Sequence, residues 1–292
     1  MYIKTIKRAG TTYYYLEHSI REGNRFYKKR KYLGKKLPSN LAKLKEQLIE
    51  DLYNEKWYKE FDKIKMCYRK TLAKTPQSVR ENNLEAFMVR FTYDTQRIEG
   101  SKLSYPDTVK LLIDKKTPEN AGLYDIKEAE RHREVFYAIL KEKNDLSLDT
   151  VVNWHRNLFS ETKGDLAGKI RKYPVLINRT DFVPPKAERL DDLLEDFFSW
   201  YHRVEDEMHP VRLAALVHLK FVTIHPFGDG NGRVSRLMMN FVLNRFGYPM
   251  IDVKYTDRFG YYTALKRSNT VDSERIFVEW FFRKYLEANK IT

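Results

Sequence analysis

Cysteine is nearly absent. The single Cys67 in 292 residues excludes an internal disulfide framework and any multi-cysteine zinc site. Glycine (12) and proline (10) are scarce, which argues against a turn-rich β architecture and for a mainly helical one. No stretch approaches the ~18 apolar residues of a membrane span; the longest, Leu213 to Ile224, is broken by His218 and Lys220. The opening MYIKTIKRAG has no apolar h-region, so no secretory leader and no membrane partner are expected, and a cytoplasmic location is. Acidic residues are short at one end only. Residues 1–80 carry 21 Lys and Arg against 8 Asp and Glu, a net of +13 out of the chain's +14, while the remainder is close to neutral. That asymmetry points to an acidic partner for the N-terminal part, nucleic acid included.

What is present is a folded composition, 42% hydrophobic and 32% charged, in a length that suits one large domain or two ordinary ones. Aromatic and polar residues alternate around Gly23-Asn24, so Tyr13–Ile20 and Arg25–Tyr32 read as a hairpin. From Leu41 to about Leu72, Leu41, Leu44, Leu48, Leu52, Trp57, Phe61 and Ile64 recur at helical spacing. Thr75-Pro76 marks a break and a candidate boundary. Beyond it the patterning predicts helices over 78–97, 105–114, 125–143, 147–160, 190–204, 210–224, 233–246, 258–269 and 273–288. Only KYPVLINRTDFVPP, within 171–185, reads as a short hairpin.

The chemistry concentrates in HPFGDGNGRVSR, His225 to Arg236. An apolar helix runs into a loop with three glycines in five residues, and a second helix opens at Gly232 or Arg233. Backbone N–H groups before a helix converge on an anion, aided by the helix dipole. Arg233 and Arg236 are three apart and share a helical face toward that anion. Asp229 faces the same place, where a carboxylate would repel phosphates unless Mg²⁺ bridged them. His225 at the loop's edge is placed to take a proton from a hydroxyl, and the two arginines are expected to keep its ring neutral. Each feature alone is commonly structural: a core histidine, a surface turn, a solvated arginine face. Their order describes phosphoryl or nucleotidyl transfer. It is not a P-loop, since GxxxxGK[ST] occurs nowhere in the chain.

These twelve residues resemble the Fic family signature HxFx[DE]GNGRxxR at every specified position: His225, Phe227, Asp229, Gly230, Asn231, Gly232, Arg233 and Arg236. The resemblance extends over about 85–287. WHRNLFSETKGDLAGKIR, Trp154 to Arg171, is similar to the family's helix ending in G-x-[FIY]-R. The 172–185 segment resembles its flap, and YYTALKRSN, Tyr261 to Asn269, resembles the helix lining its adenine pocket. The resemblance implies a mainly α Fic-type helical core with a β-hairpin flap, preceded by a small basic N-terminal β-hairpin plus helices. The implied divisions are 1–40, a helical linker 41–80, and 81–292.

The implied activity is protein adenylyltransferase: AMP moves from ATP to a Ser, Thr or Tyr hydroxyl of a target protein or of the chain itself. His225 would be the general base and Asp229 the Mg²⁺ ligand. Backbone amides at Gly230 to Gly232 with the Asn231 side chain would hold the α- and β-phosphates, Arg233 would neutralise phosphate charge, and Arg236 would orient the γ-phosphate. Tyr261, Tyr262 and Asn269 would line the nucleotide site. Val175, Leu176 and Ile177 would offer a strand edge to the target. TQRIEG, Thr95 to Gly100, places Thr95 and Glu99 on one helical face. It resembles the family's inhibitory helix, near 85–100, in which Glu99 would pair with Arg236 and deny the γ-phosphate its anchor.

Two other readings stay open. One is AMP removal or transfer of another phosphate-containing group on the same fold. The other is a nucleic-acid-binding regulator with a vestigial core, since almost all excess charge lies outside it. The N-terminal 75 residues could equally form a target-recognition or homo-oligomerisation module.

Overall fold

The structure, a computed structural model, describes residues 1–22, 25–119, 121–177 and 182–290. It divides into two compact units, Met1–Glu60 and Phe61–Thr292.

The first unit is a three-stranded antiparallel sheet in the order β1 (Tyr2–Arg8), β2 (Thr11–Glu22), β3 (Arg25–Gly34), followed by α1 (Leu41–Tyr53) and a π-helical turn, Asn54–Tyr58. The expected pair of strands is present, although the Gly23-Asn24 turn between them lies outside the described residues. The extra strand, β1, joins β2 through Ala9 and Gly10, both at positive φ (45° and 73°). Two such residues make the turn whose twist matches a hairpin, and Ala-Gly is a weak form of that signal. Leu16 of β2 packs with Leu48 and Leu52 of α1 into a small core, flanked by Met1 and Leu33.

The break expected at Thr75-Pro76 separates α2 (Lys59–Lys74) from α3 (Gln77–Glu99). Phe61 of α2 already belongs to the core of the second unit, in edge contact with Phe282 and Tyr285 at ring distances of 5.0 and 5.4 Å. The rest is helical: α4 (Tyr105–Leu112), α5 (Leu123–Lys141), α6 (Leu148–Phe159), α7 (Leu190–Val204), α8 (Pro210–Ile224), α9 (Asn231–Arg245), α10 (Arg258–Thr270) and α11 (Glu274–Ala288). Local chemistry sets several ends. Ser147 caps α6 by accepting from Thr150 N, and Ser104 with Asp107 forms a reciprocal capping box on α4.

The antiparallel pair α8 and α9 is the centre. α8 packs against α7 and α11, and α9 against α3, α5 and α6. Eleven of the fifteen α8 residues are buried, which is why its sequence shows little amphipathic alternation. No described helix is long and apolar enough to cross a membrane. The 171–185 segment differs from expectation. Its described arms, 171–177 and 182–185, contain no paired strand, and the turn at 178–181 lies outside the described residues. One isolated bridge, Ile170 with Phe227, ties its base to the loop after α8.

Candidate active site

The site grows from the α8–α9 connection. α8 stops because His225 takes the left-handed conformation (φ 54°, ψ 57°), which costs a non-glycine residue about 1–2 kcal/mol. That conformation turns the chain sharply and leaves the imidazole at the helix end. Nδ1 lies 3.2 Å from the Val222 carbonyl, so it bears the hydrogen and Nε2 keeps its lone pair. Burial pulls the His225 pKa below its ordinary value; the Val222 carbonyl, Glu99 and Asp229 oppose this and the Arg171 cation adds to it. The ring is thus kept neutral by burial and Arg171, not by the expected pair Arg233 and Arg236. Arg171 clamps the loop as well, donating to the His225 carbonyl at 2.8 Å, Tyr173 O at 2.9 Å and Pro185 O at 2.6 Å.

The glycine loop is held from inside. Asn231 accepts from Phe227 N and donates to Phe227 O, both at 2.9 Å. Its side chain is therefore committed to the loop, and its backbone N–H is what remains for an anion, in contrast to the role expected of the side chain. His155 of α6 stacks on Phe227 with ring centroids 3.8 Å apart. It accepts from Gly168 N at 2.9 Å through Nδ1 and donates from Nε2 to Asp229 O at 3.0 Å. Burial lowers its pKa to about 4, so it is a neutral buttress. Gly230 must be glycine twice over: φ is +78°, and a Cβ there would run into the Phe159 ring. A Cβ on Gly232 would overlap Glu99 Oε1.

Asp229 projects from this loop with its side chain 41% exposed. Oδ1 accepts from Gly230 N at 2.6 Å, Oδ2 accepts from Lys163 Nζ at 2.7 Å, and Arg233 Nη2 lies 3.3 Å from both oxygens. Desolvation pushes its pKa up, but Arg233, Lys163 and the Gly230 N–H outweigh it and hold the carboxyl at about 2. Arg233, nearly fully buried, also pairs with Glu128 and reaches Gln96 Oε1 at 3.3 Å. A permanently ionised, half-exposed carboxylate already facing an ammonium suits Mg²⁺, which takes one or two protein carboxylates and completes its shell with phosphate oxygens and water. Asp229 stands apart from Asp145, His202 and Glu205, a group of potential metal-ligating side chains elsewhere among the described residues.

Arg236, 1% exposed, is met by the end of α3. Its guanidinium donates to the Thr95 hydroxyl, to Thr95 O at 3.3 Å, to Glu99 Oε1 at 2.5 Å and to the Tyr261 hydroxyl at 3.2 Å. α3 ends immediately after Glu99, where Gly100 (φ 107°) caps it and Ser101 N bonds back to Gln96 O at 3.0 Å. An acid at a helix C-terminus is disfavoured by the dipole, and Arg236 is the compensating charge.

These groups open on one cleft of about 720 Å³, a size usual for small-molecule sites. Glu99, His225, Asp229 and residues 230–232 line it together with Tyr262, Lys266 and Asn269, and with Leu176, Ile177 and Phe182 from the 171–185 segment. Arg233, Arg236 and Thr95 are buried, the two arginines paired with the lining residues Asp229 and Glu99. Tyr261, expected at the nucleotide, is instead in the core, 1% exposed, its hydroxyl shared with Arg236 and His218 Nε2 (3.1 Å). Its neighbour Tyr262 faces the cleft and donates to Ile98 O at 2.9 Å. Leu176 is 87% exposed. Glu128, Lys163, His155 and Arg171 are additional site residues. The first sits on α5, far from the motif in sequence, and nothing in the sequence placed it there; the other three lie within WHRNLFSETKGDLAGKIR.

Comparison with known proteins agrees with this geometry. Residues 145–243 match the family described as Fic/DOC. A protein adenylyltransferase Fic from Nematostella vectensis is 31% identical over 185 residues, 62% of this chain and 43% of that protein. The one from Aedes aegypti is 31% identical over 237 residues, 77% of this chain and 45% of its own length. The chain thus spans less than half the length of these relatives. Among solved structures, a Fic-domain signalling protein from Bacteroides thetaiotaomicron superposes with a TM-score of 0.70 at 26% identity, covering 80% of this chain and 93% of that one. Fic-1 of Caenorhabditis elegans shares the fold (TM-score 0.71, 22% identity, 87% of this chain and 77% of that one). With the complete signature on the α8–α9 loop, residues 145–243 of this chain are a Fic/DOC domain.

Proposed function

We propose that the cleft transfers AMP from ATP to a hydroxyl of a protein side chain, and that Glu99 holds it in check in cis. The observation that carries this reading is the convergence, in one cleft, of a neutral imidazole with a free Nε2, a glycine-rich helix N-terminus and an ionised Asp229. The curated relatives named protein adenylyltransferase support the identity of the transferred group.

The acceptor hydroxyl loses its proton to His225 Nε2 as its oxygen bonds to the α-phosphorus. The bond from that phosphorus to the bridging oxygen breaks, and pyrophosphate leaves. Backbone N–H groups at 230–232, at the start of α9, receive the charge on the phosphates, and such preorganised stabilisation is usually the main source of rate acceleration. Mg²⁺, when bound at Asp229, supplies further neutralisation of that charge. Lys163 and Arg233 keep Asp229 ionised and aimed at the cleft. Tyr262, Lys266 and Asn269 form the wall for the base and sugar, and Leu176 and Ile177 are where an extended target segment would lie. Arg236 is the natural anchor for the terminal phosphate, and Glu99 occupies it.

ATP labelled separately at the α- and γ-phosphate tests the identity of the group. Retention of α-label and not γ-label on the protein is expected for Glu99→Gly. Retention of γ-label would make the chain a kinase-like variant, and α-label lost from a pre-modified target would instead favour AMP removal.

A further inference from the structure

More than half of the excess positive charge, +8 of +14, lies in the first unit, whose structure sorts it by face. Residues 1–40 contain eleven Lys and Arg against two acidic residues, a net of +9. Directly paired residues of an antiparallel sheet share a face. The register therefore places Tyr2, Lys4 and Ile6 of β1, Tyr13, Tyr15 and Glu17 of β2, and Arg30 and Tyr32 of β3 together, with Lys28 two residues along. The other face carries Leu16 and is covered by α1, where Lys31 donates to Gln47 at 3.0 Å, and Lys29 pairs with Glu55 of the π-helical turn that follows.

The uncovered face is built rather than merely charged. Glu17, fully buried, accepts from the Tyr2 hydroxyl, pairs with Arg30, and draws Lys28 (3.1 Å) and Lys4 (3.8 Å) around it. One carboxylate thus organises three cations, which remain 37–51% exposed and leave the cluster at a net of +2. Beside it Tyr32 packs on Tyr15 and Tyr13 at ring distances of 5.2 and 6.3 Å. The tyrosines fill the gaps between one another, with Tyr32 more than half exposed, so they form a rigid floor and not a set of slots into which bases could slide.

We infer that this face of the β1–β2–β3 sheet is a docking surface for duplex DNA. The complement to an organised cation cluster on a face whose described acid, Glu17, is buried is a regular polyanion. Three strands at ~4.8 Å spacing put the outer backbones about 10 Å apart, within the ~12 Å width of the major groove of B-form DNA. The narrow major groove of duplex RNA does not admit the sheet. Contacts from Lys4, Lys28 and Arg30 would be to phosphates, positioning the sheet without reading sequence by themselves.

The test uses the full chain and a fluorescein-labelled 20-base-pair DNA duplex, with the matched single strand and duplex RNA alongside, measured by anisotropy between 50 and 200 mM salt. Two double variants carry the same charge change on opposite faces: K4Q/K28Q on the open face and K29Q/K31Q on the α1 face. Duplex DNA is expected to bind at least tenfold more tightly than the other two. K4Q/K28Q is expected to weaken it at least tenfold and flatten the log–log salt slope by about 2, with K29Q/K31Q changing affinity less than threefold. Y32A, which leaves the cations in place, checks the result independently of any effect of K4Q/K28Q on folding, and a loss of at least threefold is expected. Equal loss in the two double variants, tighter binding of single strands or duplex RNA, or no DNA binding at 50 mM salt would overturn the inference.

Discussion

Glu99 Oε1 lies 2.5 Å from Arg236 Nη2, and the same oxygen occupies the space in front of Gly232 where a side chain would have to stand. One carboxylate therefore meets both the arginine and the first turn of α9 at Gly232. The pair bridges the C-terminus of α3 and the first turns of α9, and Thr95, one helical turn earlier, holds the same guanidinium. Without the Glu99 carboxylate the buried Arg236 would keep only neutral partners, Thr95 and Tyr261.

Affinity for nucleotide should report this directly. Glu99→Gly is expected to bind a non-hydrolysable ATP analogue at least tenfold more tightly than the wild type, measured by calorimetry with Mg²⁺. The AMP analogue lacking the outer phosphates should show less than a threefold difference. Equal gains for both would place the effect of Glu99 elsewhere than at Arg236.

Lys163 occupies Asp229 Oδ2 at 2.7 Å, so under the proposed Mg²⁺ role it would compete with the cation for that oxygen. In a Glu99→Gly background, Lys163→Gln is expected to lower the Mg²⁺ concentration for half-maximal self-modification by several-fold. Its maximal rate should fall less than tenfold, because Arg233 still orients the carboxylate. A higher Mg²⁺ requirement would mean that Lys163 aids cation binding and does not oppose it.

Gly230→Ala must place a Cβ at φ +78° and against the Phe159 ring. Left-handed strain alone is on the order of 1 kcal/mol, so a fall in Tm of at least 2–4 °C is expected, with self-modification lost when the change is made in the Glu99→Gly background. A variant that is as stable and active as its parent would contradict the loop geometry.

Acid should destabilise the fold well above the carboxylate range. Burial holds His132 at about 3, with Arg236 and Arg233 assisting, and His155 at about 4; burial also keeps His218 well below its ordinary value. Unfolded histidine titrates near 6.5. Between pH 6.5 and about 4 the unfolded chain therefore binds more protons than the folded one, and stability falls as pH falls. Each ring contributes on the order of 1–2 kcal/mol of loss by pH 5. Tm should drop steadily from pH 7 to pH 5; a Tm unchanged or higher at pH 5 would contradict neutral burial.

Much of this was legible in the sequence because local chemistry and function coincide there. α7 and α8 fall at the expected residues, and the ends of α8 are marked by Pro210 and the His-Pro pair at 225–226. The signature loop announces its glycines, its acid and its histidine. Contacts between distant elements were less accessible. Glu128 reaches Arg233 across 105 positions, and a lone helical glutamate carries no mark of that. Tyr261 and Tyr262 are adjacent, and only packing decides that the first supports Arg236 while the second faces the cleft. β1 escaped because Ile3 and Ile6 do not alternate strictly and Ala9-Gly10 is a weak turn signal. The 171–185 segment shows the converse, β-branched residues and turn chemistry without paired strands in its described arms.

The most direct test of the central claim is intact-mass spectrometry of the purified wild type, Glu99→Gly and Glu99→Gly/His225→Ala after incubation with ATP and Mg²⁺. A mass increase of one or more AMP units in Glu99→Gly, at least tenfold more abundant than in the wild type and absent from the double variant, is the predicted result. Equal modification of the wild type and Glu99→Gly would contradict the brake, and an adduct persisting without His225 would contradict the base.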